Sequence, residues 1–345
     1  MSTPTRPSLV PHWLALAEEL VGRAAPRLDA LNLFPVPDAD TGTNMLATLT
    51  AARTAADACP AQDDAGAVLA HAGAAALDSA RGNSGMLLAV SLAGMAEPLR
   101  GRERVDAFAL AAAFGAADRA ARQALSDPRE GTILTVLSAA ARSLARSSTQ
   151  APDTPAVAGD ADPAVRLGPA VTVMLADCVQ AVEETESLLA PLTRAHVVDA
   201  GAVGLLWVFE ALRAVVTGTP VDEELATALP GYVEGAQAAE GEHAAEAEAP
   251  IEGAVEVMGT LTLTPLAAAE LRRRLADVGD AVILAPVGTA RDAQGRVPWR
   301  VHVHVPRAED AIGPLRAAGD VEGLAVTDLA EPSHGDAAPD GCHGR

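Results

Sequence analysis

The spacing of apolar residues changes once along this chain, and that change dictates two kinds of architecture. Up to about residue 218, apolar side chains recur at the helical period; beyond residue 250 they alternate as in strands. The first part predicts helices over residues 8–30, 44–57, 64–80, 84–97, 105–125, 132–147, 162–190 and 200–217. The second predicts a strand at 254–263, a helix at 265–278 opened by Pro265, strands at 280–287 and 299–305, a helix at 307–318 and a strand at 324–329. The order β-α-β-β-α-β is that of a ferredoxin-like sandwich. The fold class is therefore multidomain, α followed by α+β. Residues 1–218 form the helical domain, 219–250 an acidic linker, 251–330 the α+β domain and 331–345 a disordered tail. Residues 147–162, rich in Ser, Pro and Asp, read as a mobile loop.

The core of such a chain must come from Ala, Leu and Val, because 49% of residues are hydrophobic but only 2% aromatic. Small helix formers favour helices packed at close range. A net charge of −21 argues against nucleic-acid or anionic-membrane partners. It is compatible with ATP, since magnesium bridges acidic side chains to phosphate. Cys59, Cys178 and Cys342 form no CxxC pair, which favours a reducing compartment. The N-terminus lacks the apolar run of a signal peptide. The most apolar stretch, residues 197–216, carries Asp199, Glu210 and Arg213 and reads as a core helix, not a membrane span. The expectation is a cytoplasmic protein.

The chemistry gathers in residues 32–45, NLFPVPDADTGTNM. Pro35 and Pro37 restrict the chain ahead of the acids. In an extended segment, residues two apart point the same way, so Asp38 and Asp40 would aim at one spot, and hard carboxylate oxygens suit magnesium. Gly42 permits a sharp turn, and Thr41, Thr43 and Asn44 bring short polar groups to a helix start. SARGNSG (79–85) opens an apolar helix with Asn83, Ser84 and Gly85 at its mouth, a phosphate-binding pattern. EGT places Thr132 at a third helix start, and DAG places Asp199 and Gly201 at a fourth. Taken singly, each junction is served by an ordinary capped turn. In an up-and-down barrel of eight helices, however, the loops before helices two, four, six and eight share one end, where a nucleotide site is assembled.

These segments resemble a known family. NLFPVPDADTGTN, SARGNSGMLL, EGTILTV and VVDAGAVGLL are similar to the signatures of the ATP-binding domain of dihydroxyacetone kinase, and closest to those of the catalytic subunit of bacterial fatty acid kinase. The likeness covers residues 8 to about 218, with a looser one to the middle domain of the fatty acid kinase subunit over 251–330. It implies an eight-helix barrel that binds ATP through magnesium, with Asp38 and Asp40 as the catalytic, metal-holding pair. Thr41, Thr43, Asn44, Asn83, Ser84, Gly85, Thr132, Asp199 and Gly201 would surround the nucleotide. The family carries a third acid just upstream, where the nearest residues here are Asn32, taken as a further ligand, and Asp29. It also has Gly where Ala39 stands. The implied reaction transfers phosphate to a fatty acid presented by a lipid-carrier protein. A dihydroxyacetone kinase-like enzyme acting on a small hydroxyketone and a nucleotide-binding protein without turnover are the alternatives. The longer relatives carry a further C-terminal domain that is not seen here, and the oligomeric state, a homodimer included, is left open.

In WRVHVHV, His302 and His304 share one strand face. The resembling middle domain adds a cysteine near its first strand, but EGAVEVMG has none, so the pair reads as solvent-facing or interfacial, not as a complete metal site. His71 reads as a packed or surface residue.

Overall fold

The computed structural model describes residues 9–60, 64–102, 104–149, 163–232, 253–288 and 290–329. The first half is helical: α1 (Leu9–Leu31), α2 (Thr41–Asp57), α3 (Ala65–Ser79), α4 (Gly82–Gly94), α5 (Ala96–Leu99), α6 (Ala107–Ala124), α7 (Ile133–Thr149), α8 (Pro163–Leu188), α9 (Ala190–Ala195) and α10 (Ala200–Thr217). The eight long helices match the expected ones. Of the two short helices, α5 begins inside the helix expected over 84–97 and runs two residues past it, and α9 lies almost wholly beyond the helix expected over 162–190 and has no counterpart in the apolar pattern. Most of the expected loop at 147–162 lies outside the described residues, although α7 continues to Thr149.

Packing follows a circuit. α1 contacts α2, α2 contacts α3, and the contacts pass through α4, α6, α7, α8 and α10 back to α1. Small residues permit this closeness: a Cβ added at Gly42 would stand 2.4 Å from the Ala25 carbonyl oxygen, and one at Gly73 would stand 2.6 Å from Ala93 Cα. Helix α10 has the length and hydropathy of a membrane span, yet 78% of it is buried inside the protein. Its Glu210 is fully buried and accepts two hydrogen bonds from Arg213, both at 2.6 Å. Such a pair belongs in a protein core far more readily than in lipid.

Residues 219–232 pack onto the helices instead of departing from them. Ala226, Leu229 and Tyr232 are buried, and the Val198 N–H donates to the Pro230 carbonyl at 3.2 Å. The acidic stretch 233–250 and the tail 331–345, expected as linker and disorder, lie outside the described residues.

The second half runs β1 (Val255–Leu263), α11 (Pro265–Ala276), β2 (Asp280–Pro286), β3 (Val297–Val305), α12 (Ala308–Ala318) and β4 (Val321–Asp328). The sheet order is β2-β3-β1-β4 and every pairing is antiparallel. Strand alternation then assigns the two faces. Val257, Leu261, Val282, Leu284, Val301, Val303 and Val305 form one core with Leu271, Leu275 and Leu315 of the sandwich's own helices. On the opposite face, Met258, Ile283 and Ala285 merge into the core of the helical unit. The seam also carries backbone pairing, with a bridge between Leu125 and Ile283 and a Ser126 N–H donating to the Val282 carbonyl at 3.0 Å. The second unit is thus seated against the first.

Candidate functional site

Asp29, in the last turns of α1, caps the next helix. Its Oδ1 accepts from the Gly42 N–H at 2.6 Å and the Thr43 N–H at 3.0 Å, and its Oδ2 accepts from the Thr43 hydroxyl at 2.8 Å. These are the donors that a helix start leaves unpaired. Asp40 holds the N-cap position itself but makes no side-chain cap bond, so its carboxylate is available for other work. The side chains of Asp38 and Asp40 meet each other in a hydrogen bond. Their convergence does not come from an extended segment, as the sequence reading expected. Ala39 has φ of 55°, and this left-handed turn swings the two acids together. An L-residue holds that conformation at a cost of about 1–2 kcal/mol.

Burial, joined by the neighbouring Asp40 charge, pushes Asp38 up to about 8. Asp40 is raised as well, first by burial, against a lowering hydrogen bond with Asn44. Two half-buried carboxyls in contact favour sharing a proton unless a cation joins them. Their hard oxygens fit magnesium. Asn32 donates to Asp38 Oδ1 at 2.5 Å, so it meets the pair as a hydrogen-bond donor, not as a third facing acid. Asp29, the other nearby acid, spends its carboxylate on the cap of α2.

The other junctions come to the same end of the helices. Asn44 lies against Gly82, whose added Cβ would be 2.5 Å from the Asn44 amide nitrogen. The Thr41 and Ser84 hydroxyls are 3.5 Å apart. Gly201 is equally near Ser84 Oγ and Asp199 Oδ2, each 3.2 Å from where its Cβ would be. Asp199 caps α10 through the Ala202 N–H at 2.8 Å and also accepts from the backbone of Ile133, the residue after Thr132. Thr132 turns its hydroxyl to the Arg129 carbonyl at 2.9 Å. A narrow cavity of about 20 Å³ is lined by Asn32, Asp38, Asp40, Thr41, Asn44, Asn83 and Ser84. Beside it, sharing Phe34, Pro35, Asn83 and Ser84, a larger one of about 460 Å³ reaches Thr132 and Asp199. Thr43, Gly85 and Gly201 line neither; they serve helix capping and close packing. A side-chain oxygen of Asn83 is buried without a partner among the described residues, as befits a wall meant to hold a polar guest.

The second unit closes this end. His304 lines the narrow cavity, and Gly279, Asp280, Ala281 and Val282 form a wall of the larger one. His302 and His304 are buried on the interface face, with His302 Nε2 2.8 Å from Glu256 Oε1 and His302 Nδ1 3.1 Å from the Ala281 carbonyl. Ligand atoms of Glu256, His302 and His304 lie within 4.8 Å of one another. Glu256 thus stands in the segment where no cysteine was found, and the three make a donor set able to hold a divalent metal. Burial alone would raise Glu256, but the adjoining imidazoles outweigh it and bring its carboxyl down to about 2. Burial and the nearby His302 lower His304 to about 3, so it stands neutral.

The DAK2 domain model matches residues 35–214, just over half of the 345. The chain belongs to the DAK2 domain family. That places it at the family level with dihydroxyacetone kinases. Similar proteins include Protein YloV of Bacillus subtilis strain 168, 33% identical over 211 residues, which are 61% of this chain and 35% of that protein. Uncharacterized protein SH1689 of Staphylococcus haemolyticus strain JCSC1435 is 32% identical over 195 residues, 56% of this chain and 33% of its own length. The chain spans about a third of the length of these relatives. In DAK2 terms, the matched segment holds all four polar junctions, while Glu256, Asp280 and the histidines lie beyond it. The sequence reading missed Glu256 and Asp280. A signal was present for Glu256, which shares its strand phase with Met258 and pairs in register with His304. Asp280 gave none, because its place against the cavity depends on docking.

Proposed function

We propose that this DAK2 protein is an ATP- and magnesium-dependent phosphoryl transferase of the fatty acid kinase type. The observation that carries the reading is the meeting of four helix starts, those of α2, α4, α7 and α10, around the Asp38–Asp40 pair at one end of the helices. The closed circuit of helix contacts supports an eight-helix barrel, and the strand order supports a ferredoxin-like second domain. The helical domain would then take in residues 219–232, which pack onto it, and the second domain would run over 251–330.

Asp38 and Asp40 would hold magnesium, steadied by Asn32 and Asn44. The metal would neutralise charge on the phosphates. Helix-start N–H groups and the Asn83 and Ser84 side chains would bind phosphoryl oxygens, and the larger cavity, with Thr132 and Asp199 on its wall, suits the nucleoside. In the reaction, an acceptor oxygen bonds to the γ-phosphorus as the bond to the β,γ-bridging oxygen breaks and ADP departs. A fatty acid carboxylate is ionised at neutral pH and requires no base to activate it, which suits a site offering no evident one. The acyl phosphate product, a lipid-carrier partner and a cytoplasmic setting belong to the same proposal.

The test is direct. Magnesium-dependent binding of ATP, followed calorimetrically, is expected to weaken more than about a hundredfold in Asp38→Ala/Asp40→Ala, since both ligands are removed. Undiminished binding in the double variant rejects the site. For the acceptor, incubation with ATP, lipid-carrier protein and fatty acid should yield acyl phosphate; phosphorylation of dihydroxyacetone without a carrier would favour the small hydroxyketone instead. Binding with no transfer to either acceptor would favour a nucleotide-binding protein without turnover.

A further inference from the structure

A carboxylate from the second unit occupies the helix start that the phosphates would need. Glu256 Oε1 accepts from the Gly82 N–H at 3.0 Å across 174 residues of chain. Gly82 is the first residue of α4, where unpaired N–H groups and the positive end of the helix dipole attract anions. Glu256 is only 8% exposed, and its neighbours on the same face, His302 and His304, are 0% and 6% exposed. The cavity beside Asp38 and Asp40 is about 20 Å³ with His304 in its wall, room for about one water. A triphosphate does not fit there. Nor does charge allow it: the Glu256 carboxylate already acts unfavourably on Asp40, and phosphate oxygens would crowd a third negative group at the same helix start.

We infer that the second unit is a gate over the candidate nucleotide site, with Glu256 as the latch that stands in for phosphate on the Gly82 N–H until the sheet withdraws. The inference rests on the nucleotide reading of that site. It explains why the buried face of β1 and β3 carries titratable residues where an ordinary interface would be apolar. It also makes nucleotide and Glu256 competitors, so that whatever draws the sheet away, a partner or a ligand of the Glu256–His302–His304 group, would promote nucleotide entry.

Glu256→Ala removes the latch, while Glu256→Gln keeps an acceptor for Gly82 and drops the charge. Two measurements on the full chain separate the gate from the reading beneath it. The first, without nucleotide, is hydrogen exchange of the amides at 82–85. The second is the association rate of a fluorescent ATP analogue with magnesium. A hydrogen bond to a charged group is strong enough that both should rise about tenfold in Glu256→Ala, with Glu256→Gln between that and wild type. Unchanged exchange at 82–85 would overturn the latch. Faster exchange with unchanged association would overturn the gate and leave the nucleotide site standing. Wild type that binds no nucleotide, beside a variant with faster exchange, would sink the nucleotide reading and the gate with it. Should Glu256→Ala unfold, shown by accelerated exchange in α1 and α10 as well, Glu256→Gln carries the test, and association no faster than wild type overturns the proposal.

Discussion

Asp199 shows how one residue can serve capping and titration together. It is 5% exposed, caps α10, receives backbone donors from Ile133 and Gly201 as well, and takes the Thr185 hydroxyl against its own N–H at 3.0 Å. Burial is the leading influence and raises its carboxyl from 3.8 to about 7. The folded state therefore holds this proton more tightly than the unfolded chain. The resulting stabilisation is complete below about 4, fades as pH rises, and is gone above about 7. Asparagine caps as well as aspartate and stays neutral. The stability advantage of Asp199→Asn over wild type should accordingly grow between pH 4 and 7 and then level off, each unit of residual shift being worth about 1.4 kcal/mol. Urea unfolding at pH 4.5, 6 and 7.5 measures it, and a gap independent of pH would show that the carboxyl is not raised. The polar residues of this site were legible in the sequence because their spacing at helix starts is a local signal. The conformation that joins Asp38 to Asp40 was less so: alternation in an extended chain suggested the right meeting for the wrong reason, and only the family's Gly at the position of Ala39 hinted at the positive φ.

Among the elements, α2 is the one whose placement the site depends on most. It starts where Gly42 passes the α1 backbone, with space for no side chain at all. Gly42→Ala forces α1 and α2 apart at the point where Asp29 reaches over to cap. The expected cost is about 1–3 kcal/mol, the usual range for overpacking. A lowered urea midpoint with unchanged slope would report it, accompanied by weaker magnesium-ATP binding because the Asp38–Asp40 turn is tethered to the same helix start. Stability equal to wild type would mean that the two helices are free to shift. The long helices and all four strands could be read from periodicity, since burial of one face imposes that period regardless of distant partners. Helix ends were less legible: α4 starts at Gly82, two residues before periodicity places it, and α9 needs the left-handed His196 to stop it.

At the scale of the whole molecule, the seam between the two units sets an apolar patch beside the polar Glu256–His302–His304 group. Ile283 is fully buried, and with Met258 and Ala285 it joins the helical unit's cluster, while its strand neighbours Val282 and Leu284 serve the sandwich. Wild type should therefore unfold in a single calorimetric transition. Ile283→Ala, expected to cost about 2–4 kcal/mol, should loosen the seam and separate the transition into two. Two transitions already present in wild type would show that the units are energetically independent. What the amino-acid order determined by itself is local: where helices and strands run, which junctions are polar, and that the chain changes architecture near residue 250. These follow from periodicity and turn chemistry over a few residues at a time. Only the tertiary structure decided that one sheet face, with Glu256 and both histidines, would turn inward over the helix starts. That choice depends on the fit of surfaces far apart in the chain, and nothing local selects it, since either face of the sheet carries enough apolar residues to be buried.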